Sequence, residues 1–118
     1  MGVEVPEIVE TAGWSRSKVM YRGRRSEARA RLAFFKFDNI VLELIEPIGG
    51  PSTWKEFLEN NGFGLHHIAF NFGSFEEARS TLEKIGGEVV QEGKFEGGGY
   101  IYVYSRELGA IIELLYSD

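Results

Sequence analysis

The sequence predicts an α+β protein built from two copies of one module, of which the first copy is incomplete. Short segments in which β-branched and aromatic residues alternate with polar ones are typical of strands. The segment IVLELIEP (residues 40–47) also matches AIIELLYS (residues 110–117) and places Glu43 over Glu113. The match continues upstream, where Phe34 falls on Tyr104. Self-similarity of this kind indicates a duplicated structural unit.

The first part of the chain predicts three strands. Residues 17–21 and 29–37 alternate apolar and polar side chains on either side of a connection at residues 22–27. We expect these two segments to pair as a hairpin. Residues 40–47 are apolar and β-branched apart from their glutamates, and they predict a third strand that ends at Pro47.

Two helices are predicted by the residues at their ends. Ser52 is suited to cap a short connecting helix that stops before Gly62. Ser74 and Glu77 have the spacing of a capping box for a longer helix that stops before Gly86. The apolar stripe of this second helix consists of Phe75, Ala78, Leu82 and Ile85.

The second copy of the module begins at Leu65 and predicts the order strand, helix, strand, strand, strand. The equivalent start of the first copy would lie before Met1, so we expect the first copy to lack its first strand and helix. The chain then forms one domain, residues 1–118. Its parts are an incomplete first module (residues 1–50), a connecting helix (residues 51–64) and a complete second module (residues 65–118).

The candidate functional residues are one histidine and two glutamates. On the strand LHHIAFNF, side chains alternate between faces, and His66 falls on the almost wholly apolar face that we expect a helix to cover. His67 then points to the opposite face. Glu43 and Glu113 each have apolar neighbours on their own face, and an unpaired carboxylate buried there would cost several kcal/mol. A divalent cation would offset that cost, and imidazole with carboxylates suits Zn, Mn, Ni, Co or Fe.

The motif GLHHIAF followed by a capped helix, together with the two matched glutamate-containing strands, resembles the vicinal oxygen chelate (glyoxalase/bleomycin resistance/dioxygenase) superfamily. The resemblance covers essentially the whole chain. It implies paired βαβββ modules that form a cupped mixed sheet around a divalent metal. It also implies that His67, Glu113 and Glu43 are metal ligands, whereas the fourth ligand of the family has no counterpart in this sequence.

Within the superfamily, the sequence is most similar to methylmalonyl-CoA epimerases and glyoxalase-like proteins. That similarity implies a lyase or isomerase that removes a proton next to a carbonyl, with Glu43 and Glu113 as catalytic residues. One alternative is a non-catalytic protein of the same fold that holds an apolar or aromatic small molecule without metal. The missing fourth ligand favours this alternative. A third possibility is an inactive, truncated enzyme.

The composition limits the remaining possibilities. The chain has no cysteine, which excludes disulfides and thiolate metal sites, and its net charge of −5 argues against general attraction to nucleic acid. The first residues lack the features of a signal peptide, and no apolar run reaches membrane-spanning length. We therefore expect a cytoplasmic protein with a small-molecule ligand and no membrane partner.

An unpaired strand edge in the first module predicts a homodimer, which strand exchange could form.

Overall fold

The computed structural model describes residues 6–118, which form nine strands and three helices in a mixed α+β arrangement. The predicted fold class is therefore confirmed. The strands are Val9–Glu10 (β1), Met20–Tyr21 (β2), Arg24–Arg25 (β3), Ala28–Lys36 (β4), Val41–Gly49 (β5), His67–Phe72 (β6), Glu88–Phe95 (β7), Gly98–Ser105 (β8) and Ala110–Ser117 (β9). The helices are Trp14–Ser17 (α1), Thr53–Asn61 (α2) and Phe75–Ile85 (α3). None of these helices has the length and apolar character needed to cross a membrane.

The strands belong to two sheets. One sheet has the order β1-β4-β5, and the other has the order β3-β2-β7-β8-β9-β6. All neighbours are antiparallel except β6 and β9, whose parallel pairing requires a crossover connection, and α3 lies within that connection. The larger sheet has a buried cluster on each face: one contains Ala78 of α3, and the other contains Trp54 of α2.

The hairpin predicted between residues 17–21 and 29–37 is wrong. β2 pairs with β3 and β7, whereas β4 pairs with β1 and β5 in the other sheet. Ser17 ends the single-turn helix α1, and both Lys18 and Arg22 adopt a left-handed backbone with φ of 47° and 49°. These changes of chain direction separate the two segments, because alternation identifies a strand but not its partner.

The third predicted strand is longer than expected. β5 continues past Pro47 to Gly49, with Pro47 opposite Ala30. Proline has no backbone N–H to donate, so a strand tolerates it where that position needs no hydrogen bond to a neighbouring strand. Among the described residues β5 pairs with β4 alone, so no strand on its other edge requires an N–H from Pro47.

Both predicted helix starts and stops are confirmed. Ser52 Oγ accepts a backbone hydrogen bond from the first turn of α2 at 3.0 Å, and Ser74 Oγ accepts one from Glu77 N at 3.1 Å. The helices end at Gly62 and Gly86, whose φ angles of 71° and 68° lie in the region that favours glycine.

The two glutamates occupy equivalent positions in two hairpins. Phe34 lies opposite Glu43 in β4–β5, and Tyr102 lies opposite Glu113 in β8–β9. Phe34 therefore corresponds to Tyr102, and its alignment with Tyr104 in the sequence comparison is wrong. The constant offset holds along β5 and β9 but fails on the preceding strands, because the second hairpin extends further before it turns.

The outward faces of these equivalent strands differ in burial. Leu114 of β9 is 1% exposed beneath α3, whereas Leu44, its counterpart on β5, is 52% exposed. The same residue type at the same module position is thus covered in one half and open in the other. The well-packed part of the fold is the sheet that carries α3.

This contrast predicts unequal costs for one substitution. Leu114→Ala should lower the free energy of unfolding by about 2–5 kcal/mol, because it leaves a cavity under α3. Leu44→Ala, the matched control, should change it by less than about 1 kcal/mol at concentrations where the chain is monomeric, because Leu44 is then half in water. Urea denaturation followed by circular dichroism measures both values. Equal losses would contradict the assignment of the main core.

Candidate metal centre

The three candidate ligands come from both sheets. Glu43 lies near the start of β5, and His67 is the first residue of β6. Glu113 lies on β9, the parallel neighbour of β6, two pairs along from the pair formed by His67 and Ile111. His67 and Glu113 therefore face the same side of the larger sheet, and Glu43 reaches them from the smaller sheet. The cluster is a contact between the two sheets.

The structure brings these three side chains within contact distance. His67 Nε2 lies 3.2 Å from Glu113 Oε1 and 3.4 Å from Glu43 Oε1. One potential ligand atom from each residue lies within 4.8 Å of the other two. Solvent reaches only 10% of the His67 side chain, 9% of Glu113 and 22% of Glu43. The cluster is thus largely shielded from water.

The electrostatics of the cluster favour a charged imidazole. Burial lowers the pKa of His67, but hydrogen bonding and Coulombic attraction from Glu113 and Glu43 outweigh it and raise the pKa to about 9. Near neutral pH the imidazolium therefore partly neutralises two neighbouring carboxylates. The remaining negative charge, in a site with little water, attracts a cation.

The prediction that His66 lies on the helix-covered face is wrong. Its ring lies 5.2 Å from the ring of Tyr102, and its nitrogens lie 3.1 Å from Thr53 Oγ1 and 2.9 Å from His67 Nδ1. Strand alternation does not apply to His66, because β6 begins only at His67. Burial, assisted by repulsion from His67, lowers the pKa of His66 to about 4. His66 is therefore a neutral hydrogen-bonding neighbour of the cluster.

The tyrosines of β8 form the floor beside the cluster. Tyr100 and Tyr102 are buried with ring centroids 4.9 Å apart, and the ring of Tyr102 lies 5.1 Å from that of His67. Trp54 Nε1 donates a hydrogen bond to the Tyr102 hydroxyl at 2.9 Å. Burial raises the pKa of both phenols, so they stay protonated and serve as rigid packing.

A cavity of about 660 Å³ reaches the cluster at His67. Phe57, Val90 and Ile111 contribute an apolar wall, and His66 lies with His67 on the polar side. Arg22, Glu56 and Glu88 add charged side chains to the lining, and the volume lies in the size range of small-molecule sites.

The distances in the cluster fit a single divalent ion. Two ligand atoms that bind one ion at about 2.1 Å and at right angles lie about 3 Å apart. The separations of 3.2 Å and 3.4 Å from His67 Nε2 are close to that value. One nitrogen and two carboxylate oxygens also leave coordination positions open, as catalytic metal sites require.

Comparison with known proteins identifies the family. The family described as Glyoxalase/Bleomycin resistance protein/Dioxygenase superfamily matches residues 2–104. The chain belongs to this superfamily. Its members are typically metal-dependent and generally bind small-molecule substrates. A relative from Bacillus subtilis (strain 168), named Uncharacterized protein YqjC, is 43% identical over 56 residues, which are 48% of this superfamily member and 40% of the relative. The similarity thus spans less than half of that relative.

The shifted pKa of His67 predicts a pH dependence of stability. The unfolded histidine titrates near 6.5 and the folded one near 9, so its contribution is complete below pH 6.5 and disappears as the pH rises to 9. We expect wild-type stability to fall across this window by a few kcal/mol, as an order of magnitude. His67→Gln should lack the fall, which urea denaturation in chelator-treated buffers measures.

His66 provides an internal control for this experiment. Its folded pKa of about 4 lies below the unfolded value, so its effect is confined to the range between pH 6.5 and 4, where acid destabilises the fold. A wild-type curve that runs parallel to the His67→Gln curve between pH 6.5 and 9 would contradict the ion pairing described above.

Proposed function

We propose that the protein binds one divalent metal through Glu43, His67 and Glu113. We further propose that it acts as a lyase or isomerase of the glyoxalase and methylmalonyl-CoA epimerase type. The observation that carries the proposal is the convergence of these three donors from two sheets, at a cluster whose His67 also lines a cavity of about 660 Å³. Membership of a typically metal-dependent superfamily supports it.

The residues of the cluster have complementary tasks in this proposal. A bound ion of Zn, Mn, Ni, Co or Fe supplies Lewis acidity that polarises a substrate carbonyl and offsets the charge of the carboxylates. Glu43 and Glu113 are the proposed proton acceptors for the carbon next to that carbonyl. Glu43 is the more exposed of the two and lies on β5, which pairs with β4 alone among the described residues, and this gives Glu43 more freedom to move between a ligand and a proton.

One observation favours the non-catalytic alternative. The imidazolium of His67 already pairs with both carboxylates, so most of the cost of burying the cluster is offset without an ion. A protein that holds an apolar small molecule in the cavity, and uses the ion triad only to join the sheets, would have the same geometry. Metal binding and proton exchange separate these two functions.

Metal titration provides the first test. Wild-type protein should bind about one Zn²⁺ or Co²⁺ per chain by isothermal titration calorimetry. Glu113→Gln should weaken binding by at least about 10–100-fold, because it removes a charged ligand. The control Glu46→Gln changes a neighbouring surface carboxylate that pairs with Arg31 at 2.9 Å, and it should leave affinity unchanged.

Proton exchange provides the second part of the same test. Metal-loaded wild-type protein in D₂O should incorporate deuterium next to the carbonyl of a thioester or 2-hydroxyketone probe, as followed by NMR. Both Glu43→Gln and Glu113→Gln should abolish the incorporation. Protein that binds no metal and exchanges no proton, yet retains apolar dyes in the cavity, would establish the non-catalytic alternative.

We also propose that two copies associate through the outward face of β5. Leu42 and Leu44 are half exposed on that face, and β5 offers an unpaired edge among the described residues. Burial of such a surface against a second copy removes apolar area from water.

Light scattering coupled to gel filtration tests this association. Wild-type protein should have the mass of a dimer, and Leu44→Lys should shift it to the monomer because it places a charge in the apolar face. Leu108→Lys is the matched control, since Leu108 is 69% exposed in the turn between β8 and β9 and should leave the dimer intact. A wild-type monomer at high concentration would contradict the proposal.

A further inference from the structure

We propose that three residues outside the cluster, His66, Thr53 and Gln91, set which nitrogen of His67 is freed when its imidazolium loses a proton. They hold a proton on Nδ1 and leave Nε2 as the atom that faces the two carboxylates. The consequence for metal affinity rests on the proposed function, whereas the tautomer itself follows from the hydrogen bonds and from the position of the two carboxylates. These residues are positioning residues, because they act on the cluster through His67.

One donor in this set of hydrogen bonds has a certain direction. The backbone N–H of Thr53 donates to Gln91 Oε1 at 2.7 Å, and a backbone N–H cannot accept. The atom that it meets is therefore the carbonyl oxygen of the Gln91 side chain. Gln91 Nε2 then donates to the Tyr100 hydroxyl at 3.0 Å. Both ends of the buried amide are satisfied in this orientation alone.

The orientation of Gln91 determines the role of the Thr53 hydroxyl. Thr53 Oγ1 lies 3.1 Å from the same Gln91 Oε1, which has no proton to give. The hydroxyl proton therefore points to Gln91, and the oxygen of Thr53 is left as an acceptor. His66 Nε2 lies 3.1 Å from that oxygen, so Nε2 must carry the proton of His66.

The tautomer of His66 in turn determines that of His67. Both carboxylates lie against His67 and hold the positive charge there, so His66, with its proton on Nε2, presents Nδ1 as an acceptor. His67 Nδ1 lies 2.9 Å away and must donate across this contact. The lone pair of neutral His67 is then on Nε2, the nitrogen that lies 3.2 Å from Glu113 Oε1. A metal ligand needs its lone pair at this atom.

The fold explains why this chain of bonds is rigid. Thr53 is the first residue of α2, and the first N–H groups of a helix have no partner within it. Gln91 of β7 supplies that partner, and both side chains are almost fully buried. A purely structural role would end there, at the start of the helix. The continuation through the hydroxyl to His66 and His67 is the part that a helix cap does not require.

The decisive measurement is the tautomer of His66 in metal-free wild-type protein at pH 7. Long-range ¹H–¹⁵N NMR on ¹⁵N-histidine-labelled protein should show the proton on Nε2 of His66. A proton on Nδ1 would overturn the inference. Because this measurement needs neither a variant nor a metal, it tests the chain of hydrogen bonds even if wild-type protein fails to bind Zn²⁺, an outcome that would count against the proposed function alone.

Two variants at one position then test the positioning role. Thr53→Val removes the hydroxyl and should produce a mixture of His66 tautomers, with Zn²⁺ affinity reduced by about 10–100-fold. Thr53→Ser keeps the hydroxyl and should restore both the single tautomer and the affinity. If Thr53→Val folds and retains the wild-type tautomer, Thr53 does not position His67 and the inference fails.

Discussion

The contact of one imidazole with two carboxylates is the interaction on which the rest of the structure depends. Glu43 and Glu113 are removed from most of the solvent, and such burial is unfavourable unless each carboxylate meets a compensating charge. His67 compensates both at once, and it does so across the boundary between the two sheets. The same group therefore stabilises the contact between the sheets and defines the site. Any partner that replaces its proton must supply at least one positive charge.

A second set of interactions supports this contact from behind. The N-terminus of α2, the buried amide of Gln91 and the hydroxyl of Thr53 lie on the side of His66 that faces away from the carboxylates. Helix α2 follows the smaller sheet and precedes β6 of the larger one, and its first residue, Thr53, holds His66 in place. The helix therefore orients a side chain of the site as well as connecting the two sheets.

The sequence predicts the cluster well because two independent periodicities meet there. Alternation directs His67 inward, and the duplication places Glu43 where Glu113 lies. The failures occur where those patterns end. His66 precedes its strand, so alternation does not apply to it, and residues 17–21 alternate correctly but carry no information about their partner.

Thr53 and Gln91 were missed for a related reason. A single buried polar residue leaves no periodic signal, and its role is visible only when its partners are known. Only the structure shows that Gln91 is buried, because its strand also carries the exposed polar residues Glu88, Glu92 and Lys94. A polar side chain in such a position needs a satisfied hydrogen-bond network, but sequence alone does not identify the partners.

The unequal covering of the two halves has a consequence for motion. Segments with few buried apolar contacts open locally at lower free energy than the core does, and β5 is such a segment whereas β9 is not. A fluctuation that lifts β5 withdraws Glu43 and leaves His67 with Glu113 intact. The two sides of the site therefore differ in rigidity: the side that β5 forms opens at lower free energy than the side that the larger sheet forms.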